Sequence, residues 1–230
     1  MRLALADERR VAVLSIDDFY RTRVERATLA ADVHPLLMTR GVPGTHDTQM
    51  LAKCLRDLRM LAPDQSLALP RFDKASDDRA DPATWPVVTG PVGLIILEGW
   101  CVGSRPQTDG ELQAPINALE REQDADGDWR HYVNAQLARD YAQLFAELDA
   151  LIFLQAPNFE AVYRWRLEQE QKLAAERAGT GVMDAQQVAE FIQHYERLTR
   201  ANLVTLPAVA NIVLEFDDAH DCVRSTFKQV

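Results

Sequence analysis
The chain is 230 residues long and 47% hydrophobic, enough for a sizeable core on a prior of ~150 residues per domain. Its 35 acidic residues outnumber 25 basic ones, so a formal charge of −10 repels nucleic acid and anionic membrane, and any phosphate site must be a local basic island. No apolar run approaches the ~20 residues of a membrane span, the first residues are too charged for a signal peptide, and Cys54, Cys101 and Cys222 have no zinc or disulfide spacing, as suits a cytoplasmic protein.

In chain order, Arg2–Arg10 reads as the tail of an amphipathic helix carrying Leu3 and Leu5. Val11–Ile16 is a β-branched, nearly all-apolar run that reads as an interior parallel strand buried on both faces, with Asp17 and Asp18 at its carboxyl end. Met50–Leu61 has helical periodicity. Residues 63–90 are rich in Pro and Asp and read as a long loop, and Val92–Leu97 then repeats the strand design, delivering Glu98 and Gly99. Residues 102–128 read as a second long loop, with Glu120–Asp128 an acidic, solvated run. A helix over Trp129–Ala150, a strand over Leu148–Leu154, helices over Phe159–Arg177 and Asp184–Leu203 and a strand over Asn211–Phe216 complete the pattern. Strand and helix alternate, which predicts an α/β fold with a mostly parallel sheet flanked by helices.

Carboxylates at the mouth of a parallel sheet can take a proton from a substrate hydroxyl, or Asp17 or Asp18 can simply cap the next helix. Glu98, at a neighbouring strand end, suits a hydrated Mg²⁺ or a water in its shell. The turn Arg40-Gly41-Val42-Pro43-Gly44-Thr45-His46-Asp47 offers donors from Arg40, Thr45 and His46 to a small anion, or is a plain turn with Asp47 as a helix cap. Arg71, Lys74 and Arg79 form a cationic island that either meets an anion or pairs with Asp73, Asp77 and Asp78. Arg164 and Arg166 lie on an amphipathic helix, where they face solvent or close over a transferring phosphoryl group. His34, His131, His194 and His220 have no metal spacing, and no Gly-x-Ser-x-Gly elbow supports Ser/His/Asp hydrolysis.

Taken together, Ser15–Tyr20, Arg40–Asp47, Pro70–Arg79, Leu97–Trp100, Asn117–Glu120 and Trp165–Glu170 resemble the P-loop small-molecule kinases typified by D-glycerate 3-kinase, relatives of uridine kinase, phosphoribulokinase and pantothenate kinase. The resemblance covers residues 3–216. It implies ATP and Mg²⁺ as cofactors, a small-molecule acceptor, Asp17 as the base, Glu98 near the Mg²⁺ and γ-phosphate, and Arg164 and Arg166 in a lid. Acceptor binding falls to Asp18, Tyr20, Arg40, Thr45, His46, Arg71, Lys74 and Arg79.

The family's Gly-x-x-x-x-Gly-Lys-Ser/Thr loop has no counterpart in this chain, where the first glycine is Gly41 and neither Gly-Lys-Ser nor Gly-Lys-Thr occurs. The expectation is therefore a single kinase-like domain, N-terminally incomplete, lacking its first, central strand. The implied reaction is phosphoryl transfer from ATP to a hydroxyl of a small polar acceptor such as D-glycerate. A non-catalytic binding or regulatory relative is the alternative, and an unrelated α/β phosphotransferase or hydrolase a third reading.

Overall fold
The structure, a computed structural model, describes residues 10–176 and 183–228. Residues 2–9 of the expected N-terminal helix lie outside them, and Arg10 opens a strand instead. The chain divides into two compact units. One holds the described residues up to Val102 with Arg139–Leu144, the other Gly103–Ala138 with the described residues from Phe145 onward.

The first unit contains, in order, β1 (Arg10–Ser15), α1 (Arg23–Asp32), α2 (Thr48–Arg59), β2 (Ser66–Ala68), β3 (Phe72–Asp73), β4 (Asp78–Arg79), β5 (Val87–Thr89) and β6 (Val92–Glu98). β1 and β6 pair in parallel with Ser15 opposite Glu98, so their carboxyl ends are level. Ala12, Leu14 and Ile16 are buried, whereas Val11, Val13, Leu94 and Ile96 are 42–52% exposed. The register sets Val11 beside Leu94 and Val13 beside Ile96, so these four share one face. The expectation of burial on both faces is thus corrected. An all-apolar run does not reveal whether anything covers its second side.

α2 presents Leu51, Leu55 and Leu58 to the core at helical spacing, and Asp47 caps it by accepting Met50 N–H at 2.9 Å. Residues 63–90 carry two nested antiparallel pairs, β2 with β5 and β3 with β4. Strands of two or three residues are too short to show alternation in the sequence.

Next come α3 (Asp109–Leu112), α4 (Ala118–Gln123), α5 (Asp128–Gln136) and α6 (Ala142–Ala146), with a π-helical turn over Leu137–Tyr141 interrupting the single helix expected across Trp129–Ala150. β7 (Ile152–Gln155) starts later than Leu148, because Leu148 N–H closes a turn on Phe145 and Leu151 N–H is taken by the Asn211 side chain at 2.8 Å. α7 (Phe159–Glu176), α8 (Ala185–Phe191), α9 (Gln193–Val209), β8 (Ile212–Phe216) and β9 (Cys222–Phe227) follow. The helix expected over Asp184–Leu203 is broken at Ile192 and runs on through Pro207. β7 and β8 are parallel, and β9, which the sequence reading did not place, pairs antiparallel with β8. Among the described residues neither the second edge of β6 nor that of β7 has a strand partner. No described helix is long and apolar enough to cross a membrane.

Candidate active site
The site is built where β1 runs out. After Ser15 the chain makes one 3₁₀ turn, Ile16–Phe19, pinned by the buried Ile16 and Phe19 and carrying Asp17 and Asp18 between them. Gly99, at the end of β6, approaches so closely that a Cβ there would lie 2.3 Å from Ile16 Cγ2, and its φ of +151° disfavours any other residue. α1 is capped separately by a Thr22/Glu25 capping box, so neither Asp17 nor Asp18 serves as its cap.

The Arg40–Asp47 turn is sewn onto this loop. Arg21 N–H donates to Thr45 O at 2.8 Å and Asp47 N–H to Phe19 O at 2.7 Å. Thr45, fully buried, spends its hydroxyl within the turn, accepting from Gly41 N–H and donating to Val42 O. His46 stacks on Tyr20 with ring centroids 4.5 Å apart. Its Nδ1 lies 2.6 Å from the Tyr141 hydroxyl, which also accepts Gly44 N–H. Burial holds His46 down to about 4, so its ring is neutral, and Nε2 is buried without a hydrogen-bond partner. Burial likewise pushes the Cys101 thiol and the Tyr141 hydroxyl up.

The β3–β4 hairpin closes the other side. Asp18 accepts Phe72 N–H at 3.2 Å and Arg71 at 2.9 Å. Arg79 donates to Tyr20 O and to Asp47, and Arg40 pairs with Asp77. Arg26, buried inside α1, donates to Met38 O at 2.7 Å and Asp77 O at 2.8 Å. The cations thus do not take the nearby Asp73, Asp77 and Asp78 as a set. Three of them reach carboxylates on the strand-end loop and the head of α2, and the third is Lys74, whose ammonium lies 2.8 Å from Asp17 Oδ2. Asp17 Oδ1 accepts the Tyr20 hydroxyl at 2.7 Å.

Burial works to raise the Asp17 carboxyl, but the hydrogen bond and charge of Lys74, helped by Tyr20, hold it below its usual value. Asp18 goes the other way: burial lifts it, and Phe72 N–H and Arg71 offset only part. Asp17 is therefore the more acidic of the two carboxyls, and Asp18, held by Phe72 N–H and Arg71, anchors the hairpin. Glu98 is exposed at the level of Ser15. No group of three metal-ligating side chains exists among the described residues, so a lone carboxylate at this strand end fits the outer shell of a hydrated Mg²⁺ and not a protein cage.

Asp17, Asp18, Tyr20, Arg40, Thr45, His46, Arg71, Lys74, Arg79 and Glu98 all belong to the first unit. Arg164 and Arg166 belong to the second, where Arg164 pairs with Asp218 and Arg166 with Glu170 on α7 itself. Asn117 caps α4, and Glu120 is a buried partner of Arg197, so that motif is structural there. The sequence reading missed α1 with Arg26, for which Thr22-x-x-Glu25 was the available signal. It also missed Tyr141, which no local pattern marks.

No family profile matches the chain. It is 35% identical over 192 residues to the uncharacterized kinase mug58 of Schizosaccharomyces pombe, covering 80% of this chain and 67% of that protein. It is 32% identical over 208 residues to the chloroplastic D-glycerate 3-kinase of Arabidopsis thaliana, covering 87% of this chain and 43% of that protein. The chain thus spans about two thirds of the first relative's length and less than half of the second's. A solved D-glycerate 3-kinase from Cryptococcus neoformans superposes with a TM-score of 0.80 at 26% identity, over 95% of this chain and 80% of that one. With the strand-end acids, the turn and the hairpin in place, these likenesses show that the chain belongs to the D-glycerate 3-kinase-like family of P-loop kinases.

Proposed function
We propose that the chain serves phosphoryl transfer from ATP to a hydroxyl of a small anionic acceptor, D-glycerate in the first instance. The observation that carries this reading is Asp17 itself: an ionised carboxylate at a strand end, oriented on one oxygen by Tyr20 and on the other by Lys74. Each carboxylate oxygen keeps a second lone pair, so an acceptor hydroxyl can still donate to it. In a loose phosphoryl-transfer transition state the proton leaves late. A base that mainly aligns the hydroxyl therefore suffices, and the lowered basicity of Asp17 is tolerable. Lys74 and Arg71, 61% and 37% exposed, offer positive charge at the same mouth.

Mg-ATP, when bound, supplies the γ-phosphoryl group and its charge neutralisation. Glu98 would hold the hydrated ion, whereas this chain has no Gly-Lys-Ser or Gly-Lys-Thr loop for the phosphates. A second reading is that the chain binds the acceptor without transferring phosphate.

Incubating the 230-residue chain with D-glycerate and Mg-ATP, followed by phosphorus NMR, separates the two. The first reading expects phosphoglycerate, with Asp17→Asn lowering kcat ~10²- to 10⁴-fold and changing acceptor affinity far less. D-glycerate binding without product favours the second. No D-glycerate binding overturns both.

A further inference from the structure
Of the cations around the strand end, most are committed to the scaffold. Arg71 ties β3 to Asp18, Arg79 ties β4 to Asp47 and to the Tyr20 carbonyl, and Arg40 joins Arg26 in holding Asp77. Each of these bonds joins two segments of backbone that would otherwise separate. Lys74 also reaches from the hairpin to the strand-end loop, but through a single exposed ion pair. Its side chain is 61% exposed, and its ammonium lies on Asp17, the carboxylate read above as the base.

The backbone beneath Lys74 is held in place. Asp73 accepts Ala75 N–H at 3.0 Å and the Ser76 hydroxyl at 2.6 Å, locking the turn that carries it, and Asp77 at the far side of the tip is gripped by Arg26. Lys74 can therefore move only by rotating its own four-carbon stem, which is long, flexible and solvated. Asp17 keeps an orienting partner when Lys74 leaves, because the Tyr20 hydroxyl stays on the other oxygen.

We propose that Lys74 is a specificity-determining residue that exchanges the Asp17 carboxylate for a carboxylate on the acceptor, so that only a hydroxy acid uncovers the base. The inference rests on the reading of Asp17 as base and extends it to the acceptor's second functional group. An acceptor carboxylate replaces one exposed ion pair by another of the same kind, so the exchange is nearly balanced. A neutral polyol offers Lys74 nothing in return, and leaves it on Asp17.

The exchange also has a consequence for protons. The groups facing Asp17 are Lys74, the Tyr20 hydroxyl, the buried neutral His46, the buried Cys101 thiol, and Asp18, itself engaged by Arg71. Once Lys74 turns to the acceptor, its ammonium no longer donates to Asp17, and the carboxylate becomes a better proton acceptor as the hydroxyl arrives.

Calorimetry on the full 230-residue chain tests this with D-glycerate and, as its neutral counterpart, glycerol. Because the exchange is nearly balanced, Lys74→Met is expected to change D-glycerate affinity little and to tighten glycerol roughly twofold to fivefold, the range for removing an exposed ion pair that competes for Asp17. Lys74→Arg, which keeps the charge, is expected to restore the preference for D-glycerate over glycerol and guards against a folding defect. At pH 5, D-glycerate binding to the unaltered chain should take up a fraction of a proton, seen as a dependence of the binding enthalpy on the buffer, and Asp17→Asn should abolish the uptake. Equal changes for both ligands in Lys74→Met, no tightening of glycerol, or no proton uptake by the unaltered chain overturns the exchange while leaving D-glycerate as acceptor. No binding of D-glycerate to the unaltered chain is the distinct failure of the acceptor reading, and the exchange falls with it.

Discussion

His46 illustrates how one side chain ties the site to the stability of its surroundings. Tyr141 accepts Gly44 N–H and lies against Nδ1, and the ring is wholly buried, so folding holds His46 neutral down to about 4 against an ordinary value of 6.5. Because the folded value is the lower one, the unfolded chain binds the extra proton first. Stability is therefore fully present above pH 6.5 and is lost as pH falls toward 4. A shift of this size corresponds to about 3 kcal/mol at most. Urea midpoints measured at pH 7 and pH 4.5 should fall in the unaltered chain and converge in His46→Gln once the common carboxylate effects are subtracted. An unchanged pH dependence in the variant would place the proton uptake elsewhere. Asp17, held below the usual carboxylate range by Lys74, is one of the carboxylates whose common effect is subtracted.

At the scale of elements, α7 presents Arg164 on an ion pair with Asp218 in which both side chains are about half exposed or more. Such surface pairs contribute only ~0–1 kcal/mol, so the guanidinium is held lightly and can be given up to a phosphate. Arg164→Ala should leave the thermal midpoint within a degree or two. If the lid role implied by the family resemblance holds, it should lower kcat with little change in acceptor affinity. An unaltered kcat returns Arg164 to the solvent-facing side of the helix.

The elements most legible in the sequence were those with a strong period or a hard stop. α2 was readable from its leucines and Asp47, and β6 from an apolar run ending in Glu98-Gly99. What stayed hidden depends on contacts distant in sequence. Arg71 and Arg79 stand beside Asp73, Asp77 and Asp78, yet Arg71 pairs with Asp18, 53 residues away, and Arg79 with Asp47. Tyr141 meets Gly44 across 97 residues. β3 and β4, two residues each, are tied down by Asp18, which accepts the Phe72 N–H, and by Arg26, which grips Asp77. No local propensity encodes such partnerships, so the residues of the site could be named before their geometry could be drawn.

For the molecule as a whole, the two units divide the parallel strands between them, β1 with β6 and β7 with β8. Among the described residues both sheets are open on each side, ending at β1 and β6 and at β7 and β9, and both carry exposed aliphatic side chains, with Ile152 at 55% and Leu154 at 62% in the second. Free edges beside apolar surface invite pairing with other chains, so the midpoint of thermal aggregation should fall as protein concentration rises, as light scattering would record. A concentration-independent midpoint would mean that the edges are protected in solution.

The face shared by Val11, Val13, Leu94 and Ile96 carries a consequence for how this protein would look in the laboratory. An environment-sensitive dye such as anilinonaphthalene sulfonate brightens on apolar surface, and its fluorescence is commonly taken as the mark of a loosened, partly folded state. Here the native chain offers that surface while Leu14, Ile16, Phe19 and Leu51 stay fully buried beneath it. The dye should therefore light up in a sample whose near-ultraviolet circular dichroism is intact. Replacing Val13 and Ile96 by threonine should dim it without moving the dichroism, so that brightness in this protein reports an uncovered sheet and not a molten core.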